Sequence, residues 1–424
     1  MANDQRIVVC IFRRGAAMGT NEIVAHKSIP GVSWLDDYRS ANRFPNSHAA
    51  IADTIELEGQ KGYGLNTRFK AMTNRWNHPS YAMTAFFTLG TPAATRSHFY
   101  EQGRIDCGGV NYNFLNSGYM NRFAGLFKPP VATPLDLISL GNAPTRSVIG
   151  LVSTYASTKS VVPLLLPEPV ALAKKFMKAA PSATNVEAVT GRATAMAMLD
   201  TNEGLGSLPV PAQTPSDLNA NAPKYPSDSW SQKLRDAARM IIAGVPARYI
   251  CCDYDGWDHH SDAGGSINTP RGARRHALMM ATFSDAIEAF IYDMEQSGNS
   301  QRVMLTTMTE FHRTMRENGN FGADHGQSCH AYAWGPTCKS DIVGKVLDYR
   351  ASSAAFFDAG SYQSPFNNRL LNFSMDYRDF QRLCCEFILG RLLTNDEVTT
   401  IWGSGFTSNM TAEQRATIPP QKAA

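Results

Sequence analysis

Five short, almost unbroken apolar runs constrain this chain more than any other feature. They are Arg6–Phe12 (RIVVCIF), Tyr81–Leu89 (YAMTAFFTL), Ser147–Ser153 (SVIGLVS), Arg248–Asp253 (RYICCD) and Arg302–Met308 (RVMLTTM). Runs that are apolar on both faces suit strands buried on both sides, the condition of a parallel sheet covered by helices. Amphipathic stretches lie between them. Ser231–Ala243 puts Leu234, Ala237, Ala238, Ile241 and Ile242 at helical spacing and stops at Gly244. Arg274–Gln296 lines up Met280, Phe283, Ile287, Phe290, Ile291 and Met294, and Asp376–Leu393 is a third such stretch. Strands alternating with helices predict an α/β fold, with a largely parallel central sheet flanked by helices and long loop insertions.

The chain of 424 residues reads as one α/β domain over 1–403 with a polar tail over 404–424. A Pro/Ser-rich surface excursion falls near 201–229, and the stretch from Ser340 to Asn368 is also rich in turn residues. Lys and Arg number 40 against 37 Asp and Glu, so no charge excess is available to grip nucleic acid. Charged residues make up only 18% and hydrophobic ones 43%, which points to extensive buried surface, in a large core or at contacts of a homo-oligomer. No apolar run reaches the roughly 18 residues of a membrane helix. Arg6–Phe12 starts too early and lacks the small-residue site of a secretory signal. The expectation is a cytoplasmic protein, or a periplasmic or secreted one if an export signal has been removed. The eight cysteines are scattered, two pairs are adjacent, and none forms a C-x-x-C, so they read as reduced and buried.

Parallel sheets present their sites at the carboxyl ends of strands. After the first run come Arg13, Arg14, Gly15, Met18 and Asn21. After the second come Arg96, Ser97, His98 and Gln102. After the fourth come Asp258, His259 and His260, and after the fifth Glu310, His312, Arg313, Asp324, His325 and His330. Six of the ten histidines fall in these stretches. Carboxylates and imidazoles converging from several strand ends supply the oxygen and nitrogen ligands that zinc, manganese or iron take. Singly, such residues are commonly helix caps or solvated side chains; their shared placement carries the reading. Ser97, near the predicted start of a helix, is a candidate nucleophile, and Arg14 and Arg313 are candidates to clamp an anion. There is no G-x-G-x-x-G, no Walker loop and no G-x-S-x-G elbow, which weighs against dinucleotide, nucleotide and α/β-hydrolase readings.

In this order the segments resemble the family known as domain of unknown function 1501, related to the alkaline phosphatase and sulfatase superfamily. The carriers are Arg14 to Asn21, Arg96-Ser97-His98-Phe99 with Gln102, Tyr119 to Phe123, Gly256-Trp257-Asp258-His259-His260, Thr309-Glu310-Phe311-His312-Arg313 and Ala323-Asp324-His325-Gly326. The likeness reads as nearly full length. It implies an alkaline phosphatase-like fold, metal ligands at Asp258, His260, Asp324 and His325, and a nucleophile region at Ser97 or His98. The chain departs from the family pattern where Met18 replaces an Asp, His259 a Thr and His312 a Gly, and His330 is an added histidine. A thioether does not replace a hard carboxylate. The departures therefore point to a rebuilt single-metal, nitrogen-rich centre to which His259 and His330 are further candidate ligands. Met18 beside histidines would suit copper, although packing is its plainer role.

The leading expectation is a metal-dependent hydrolase-like protein acting on a small anionic phosphate or sulfate ester. One alternative is a catalytically degenerate relative kept as a structural or self-assembling subunit. A weaker one is a mononuclear transition-metal oxidoreductase.

Overall fold

A computed structural model describes the chain except residues 1–4, 26–53, 60–62, 67–68, 92–94, 111–116, 127–135, 142–143, 151–154, 157–209, 262–274, 315–317, 319, 321, 345–373, 409 and 416–424. The main sheet has nine strands. In chain order these are β1 (Ile7–Arg13), β5 (Ala82–Gly90), β6 (Leu137–Leu140), β7 (Tyr155–Ala156), β8 (Tyr249–Tyr254), β9 (Val303–Met308), β10 (Cys329–Gly335), β11 (Asp341–Val343) and β12 (Met375–Asp376). The small strands β2 (Ile23–Ala25), β3 (Thr54–Glu56) and β4 (Tyr63–Asn66) form a separate antiparallel sheet. In space the main sheet runs β11-β5-β10-β9-β1-β8-β6-β7, with β12 beside β5. Every pairing in it is parallel except those of β10, which runs antiparallel between β5 and β9.

The centre of the sheet follows from β1. All seven of its residues are buried. Successive side chains of a strand point to opposite faces, so Ile7, Val9 and Ile11 enter one core while Val8, Cys10 and Phe12 enter the other. Helices α5 (Ser229–Ile242) and α6 (Arg275–Gln296) cover the first face through Trp230, Leu234, Ile241, Phe283, Ile287 and Phe290. Helices α4 (Tyr119–Leu126), α7 (Tyr377–Leu389) and α8 (Asn395–Trp402) cover the second through Met120, Phe123, Phe380, Leu383, Ile401 and Trp402. Three shorter helices precede these in the chain: α1 (Gly19–Glu22), α2 (Lys70–Arg75) and α3 (His98–Cys107). Helix ends sit where local chemistry puts them. Asp228 accepts from the Trp230 and Ser231 amides to start α5, and Gly390 closes α7 in the left-handed conformation.

Four of the five apolar runs are strands of this sheet. Ser147–Ser153 is not one over its described part: Arg146–Val148 is a 3-10 turn, Ser147 and Val148 are buried, and Ile149 is exposed. The position beside β8 belongs instead to β6, whose four-residue LISL core was too short to stand out. Residues 210–228, the described end of the Pro/Ser-rich segment, lie against α6. There the Ser216 amide and the Tyr225 hydroxyl donate to Asp293 at 2.6 and 2.8 Å. Most of the turn-rich stretch from Ser340 lies outside the described residues. All eight cysteines are unpaired and buried. No helix among the described residues is long and apolar enough to cross a membrane.

Candidate metal centre

The carboxyl ends of β1, β8 and β9 lie side by side because the three strands pair in parallel. The chain leaving β1 turns at Gly15, whose φ is +112° and whose missing side chain lets the Asp258 amide approach; a Cβ there would stand 2.3 Å from that nitrogen. The Trp257 amide donates to the Arg14 carbonyl at 3.1 Å, so the first and fourth loops are laced backbone to backbone. Beyond β8 the chain alternates: Trp257 and His259 are buried while Asp258 and His260 are exposed. An extended segment puts i and i+2 on one face, and here that face turns Asp258 and His260 outward together. Beyond β9 the chain folds back, with Arg313 bridged antiparallel to His325 and the Thr314 amide donating to the Asp324 carbonyl at 2.9 Å. The fourth contributor, His98, is the first residue of α3, after Ser97 at the N-cap.

One ligand atom each from His98, Asp258, His260 and His325 lie within 4.8 Å of one another. Asp258 Oδ1 stands 3.4 Å from His98 Nε2, 3.2 Å from His260 Nε2 and 3.9 Å from His325 Nε2. The outward nitrogen of each ring is already engaged. His98 Nδ1 donates to Glu310 Oε1 at 2.7 Å, His260 Nδ1 to Asp324 Oδ1 at 3.3 Å, and His325 Nδ1 to the Arg96 carbonyl at 2.6 Å. Those oxygens accept, so a neutral ring at each position carries its proton on Nδ1 and turns the Nε2 lone pair inward. This is how metal-ligating histidines are oriented. One orphaned atom in the cluster suits a cation. His98 Nε2 is a buried atom with no hydrogen-bond partner. His260 Nε2 and His325 Nε2 face each other at 2.7 Å, with the Arg313 guanidinium 3.4 Å from His260 Nε2 supplying positive charge beside the pair.

The electrostatics agree. Burial pushes the Glu310 carboxyl up, but hydrogen bonds from His98, Gln102 and the Gly15 amide outweigh it and hold the group below the usual carboxylate range, ionised. Desolvation would likewise raise Asp258, and the adjoining Arg313 guanidinium brings it below its ordinary value. Burial lowers His325, which keeps the ring neutral.

The other expected residues are placed as follows. Asp324 touches the cluster through His260 as an orienting acceptor, and Asn318 donates to it at 3.0 Å. His259, on the inward face of the alternation, packs edge-on to His276 with ring centres 5.6 Å apart. His330 on β10 is fully buried, stacked on His312 at 4.6 Å, and bonded to Arg13 and Glu22. Neither joins the four-residue group. Met18 is buried against Ala323. Arg14 pairs with Asp106 at 3.2 Å and Asp253 at 3.1 Å. Arg313 donates to the carbonyls of Gly15, Ala16 and Ala323 and to Asp258, so its guanidinium braces the loops rather than facing solvent. Ser97 makes no capping bond with its side chain. Glu310, which the sequence marks only by its place after the fifth run, lies at the cluster as the acceptor for His98.

A model of the family described as Protein of unknown function (DUF1501) matches residues 88–346. The match takes in every cluster residue but stops short of the first motif at Arg14 to Asn21, so it is less than the nearly full-length likeness expected. No curated protein matches the chain. Among solved structures it is similar to that titled "Crystal structure of Ps i-CgsB", at 9% identity over 99% of this chain and 77% of that one, with a TM-score of 0.40. The alkaline phosphatase from the Antarctic bacterium TAB5 is 11% identical over 80% of this chain and 94% of its own, with a TM-score of 0.31. A putative sulfatase from Bacteroides thetaiotaomicron is 6% identical over 80% and 66%, with a TM-score of 0.34.

Proposed function

The chain belongs to the DUF1501 family, and from that premise we propose a metal-dependent hydrolase-like protein acting on a phosphate or sulfate ester at a single-metal centre. The observation that carries this reading is the convergence of three Nε2 lone pairs and one carboxylate oxygen, each ring tied at Nδ1 to an acceptor. His98, Asp258, His260 and His325 would hold the ion, and their mixed nitrogen and oxygen set suits zinc, manganese or iron. Such an ion supplies Lewis-acid polarisation of an ester oxygen and a water of lowered pKa. The protein's own part is orientation. Glu310 fixes His98, Asp324 fixes His260, and the Arg96 carbonyl fixes His325. Arg313 keeps Asp258 ionised and holds the loops beneath it. Ser97, with its hydroxyl free of a capping role at the mouth of α3, stands in the nucleophile region.

The test is elemental mass spectrometry on protein purified without nickel or chelator, alongside hydrolysis of 4-nitrophenyl phosphate and 4-nitrophenyl sulfate. One equivalent of metal per chain is expected, lost in Asp258→Ala and His260→Ala together with any ester cleavage. A metal-free wild-type protein overturns the reading. A second reading, a degenerate structural subunit, draws on Met18, which packs into the interior at the position of the family's carboxylate. Metal-free protein assembled into rings or filaments would select it.

A further inference from the structure

The two arginines expected to hold an anion are both engaged elsewhere, Arg14 by two carboxylates and Arg313 by three carbonyls and Asp258. A third has what they lack. Arg96 is exposed and immediately precedes Ser97 and His98. Its Nε donates to the His325 carbonyl at 2.9 Å, and its own carbonyl accepts from His325 Nδ1 at 2.6 Å. These two bonds, running in opposite directions, pin Arg96 against one of the candidate ligands. Its Nη1 and Nη2 make no hydrogen bond, and no carboxylate pairs with it, among the described residues. A planar guanidinium fixed through Nε and open along its Nη edge matches two oxygens of a tetrahedral oxyanion.

On the other side of His98 stands Phe99, 89% exposed, followed by Tyr100, 44% exposed. A phenylalanine left that far in water forgoes most of the free energy its burial would supply, and here it borders a candidate ligand. Four consecutive residues thus carry a cation, a hydroxyl, a candidate-ligand imidazole and an exposed apolar ring. We propose that Arg96 grips the non-bridging oxygens of the substrate's anionic group while Phe99 rests on the remainder, so that the site takes phosphate or sulfate monoesters of flat, apolar alcohols such as aryl esters. This rests on the metal-centre reading above.

The experiment compares wild type, Arg96→Gln and Phe99→Ala, each dialysed against the metal found in the wild-type protein. Isothermal titration calorimetry follows phenylphosphonate and methylphosphonate, which share one head group and resist hydrolysis. Metal content is measured on the same samples. Wild type should prefer phenylphosphonate several-fold. Arg96→Gln, whose backbone carbonyl still holds His325, should retain metal and bind both probes at least about tenfold more weakly. Arg96→Lys should recover part of that loss through its charge. Phe99→Ala should weaken phenylphosphonate alone and level the two affinities. Metal-loaded Arg96→Gln that binds both probes as wild type does, or a wild type indifferent to the phenyl group, overturns this inference and leaves the metal centre standing. A wild type without metal overturns both.

Discussion

His98 owes its chemistry to what lies behind it. A surface histidine is free to spin and titrate, but this one is held by Glu310, which accepts from His98, Gln102 and the Gly15 amide at 2.7 to 2.8 Å while fully desolvated. Replacing Glu310 by Gln removes the charge that orients the ring, and losing the acceptor behind a ligating histidine costs about 10- to 100-fold in metal affinity. Competition with a chromogenic chelator measures it; an unchanged affinity would strip Glu310 of the role. The residue level is also where the sequence was most legible and most deceptive. Asp258, His260 and His325 were readable as candidates from their place after strands and from the family resemblance, and they do converge. His259 was not separable by composition, yet the period of two over Trp257 to His260 already put it on the opposite face. His330 misled for another reason. Its neighbours Arg13 and Glu22 are distant in sequence, and only the fold shows that together with Tyr332 they bury a polar network. That network has a consequence for pH. Burial first, and then the Arg13 charge, lower His330 to about 4, below its ordinary 6.5. The unfolded chain therefore takes up a proton near pH 6.5 that the native state refuses until about pH 4. Stability is full above that window and falls by about 3 kcal/mol as pH drops through it. Burial lowers His312 in the same direction. Urea melts at pH 7 and pH 5 should show the loss, and His330→Gln should flatten the dependence.

At the scale of elements, the sheet was legible wherever a strand is apolar on both faces, as β1, β5, β8 and β9 are. β10 escaped because Cys-His-Ala-Tyr-Ala-Trp-Gly mixes polar and small residues, although all seven are buried and Ala331 to Trp334 pair with both β5 and β9. Its antiparallel course explains the mixture: it returns directly from the site loops, and His330 and Tyr332 carry the buried polar network into the sheet. The loops were less legible, since their meeting depends on backbone contacts that leave no pattern in the side chains. Gly15 is the sharpest case. Its φ of +112° and the 2.3 Å that would separate a Cβ from the Asp258 amide leave room for nothing larger. Gly15→Ala must push apart the loops after β1 and β8, and the positive φ alone costs about 1–3 kcal/mol. The expected outcome is a destabilisation of at least that size in urea unfolding together with weakened metal retention, because Asp258 moves with the clash. A variant as stable as wild type would show that the two loops do not need this contact.

At the scale of the whole molecule, the cluster ties together parts of the chain that the sequence keeps far apart: the start of α3, the loop after β8 and the return into β10. An ion that binds the native arrangement but not the unfolded chain stabilises folding by mass action, by about 2.7 kcal/mol when free metal exceeds its dissociation constant a hundredfold. Composition could not foretell this. A net charge of +3 says nothing about local balance, and in the site region the buried arginines are consumed by carboxylates and carbonyls, which leaves an ionised Asp258 beside three imidazoles. A centre of that kind gains from a cation and does not resist one. Calorimetric melting should therefore shift upward when the metal found in purified protein is restored after chelation, and the shift should vanish in His260→Ala, whose Nε2 contacts both Asp258 and His325. If wild type melts at the same temperature with chelator as with metal, then the convergence of the four side chains serves the loops' packing, and the ligand arrangement is a by-product of Arg313 drawing Asp258 inward.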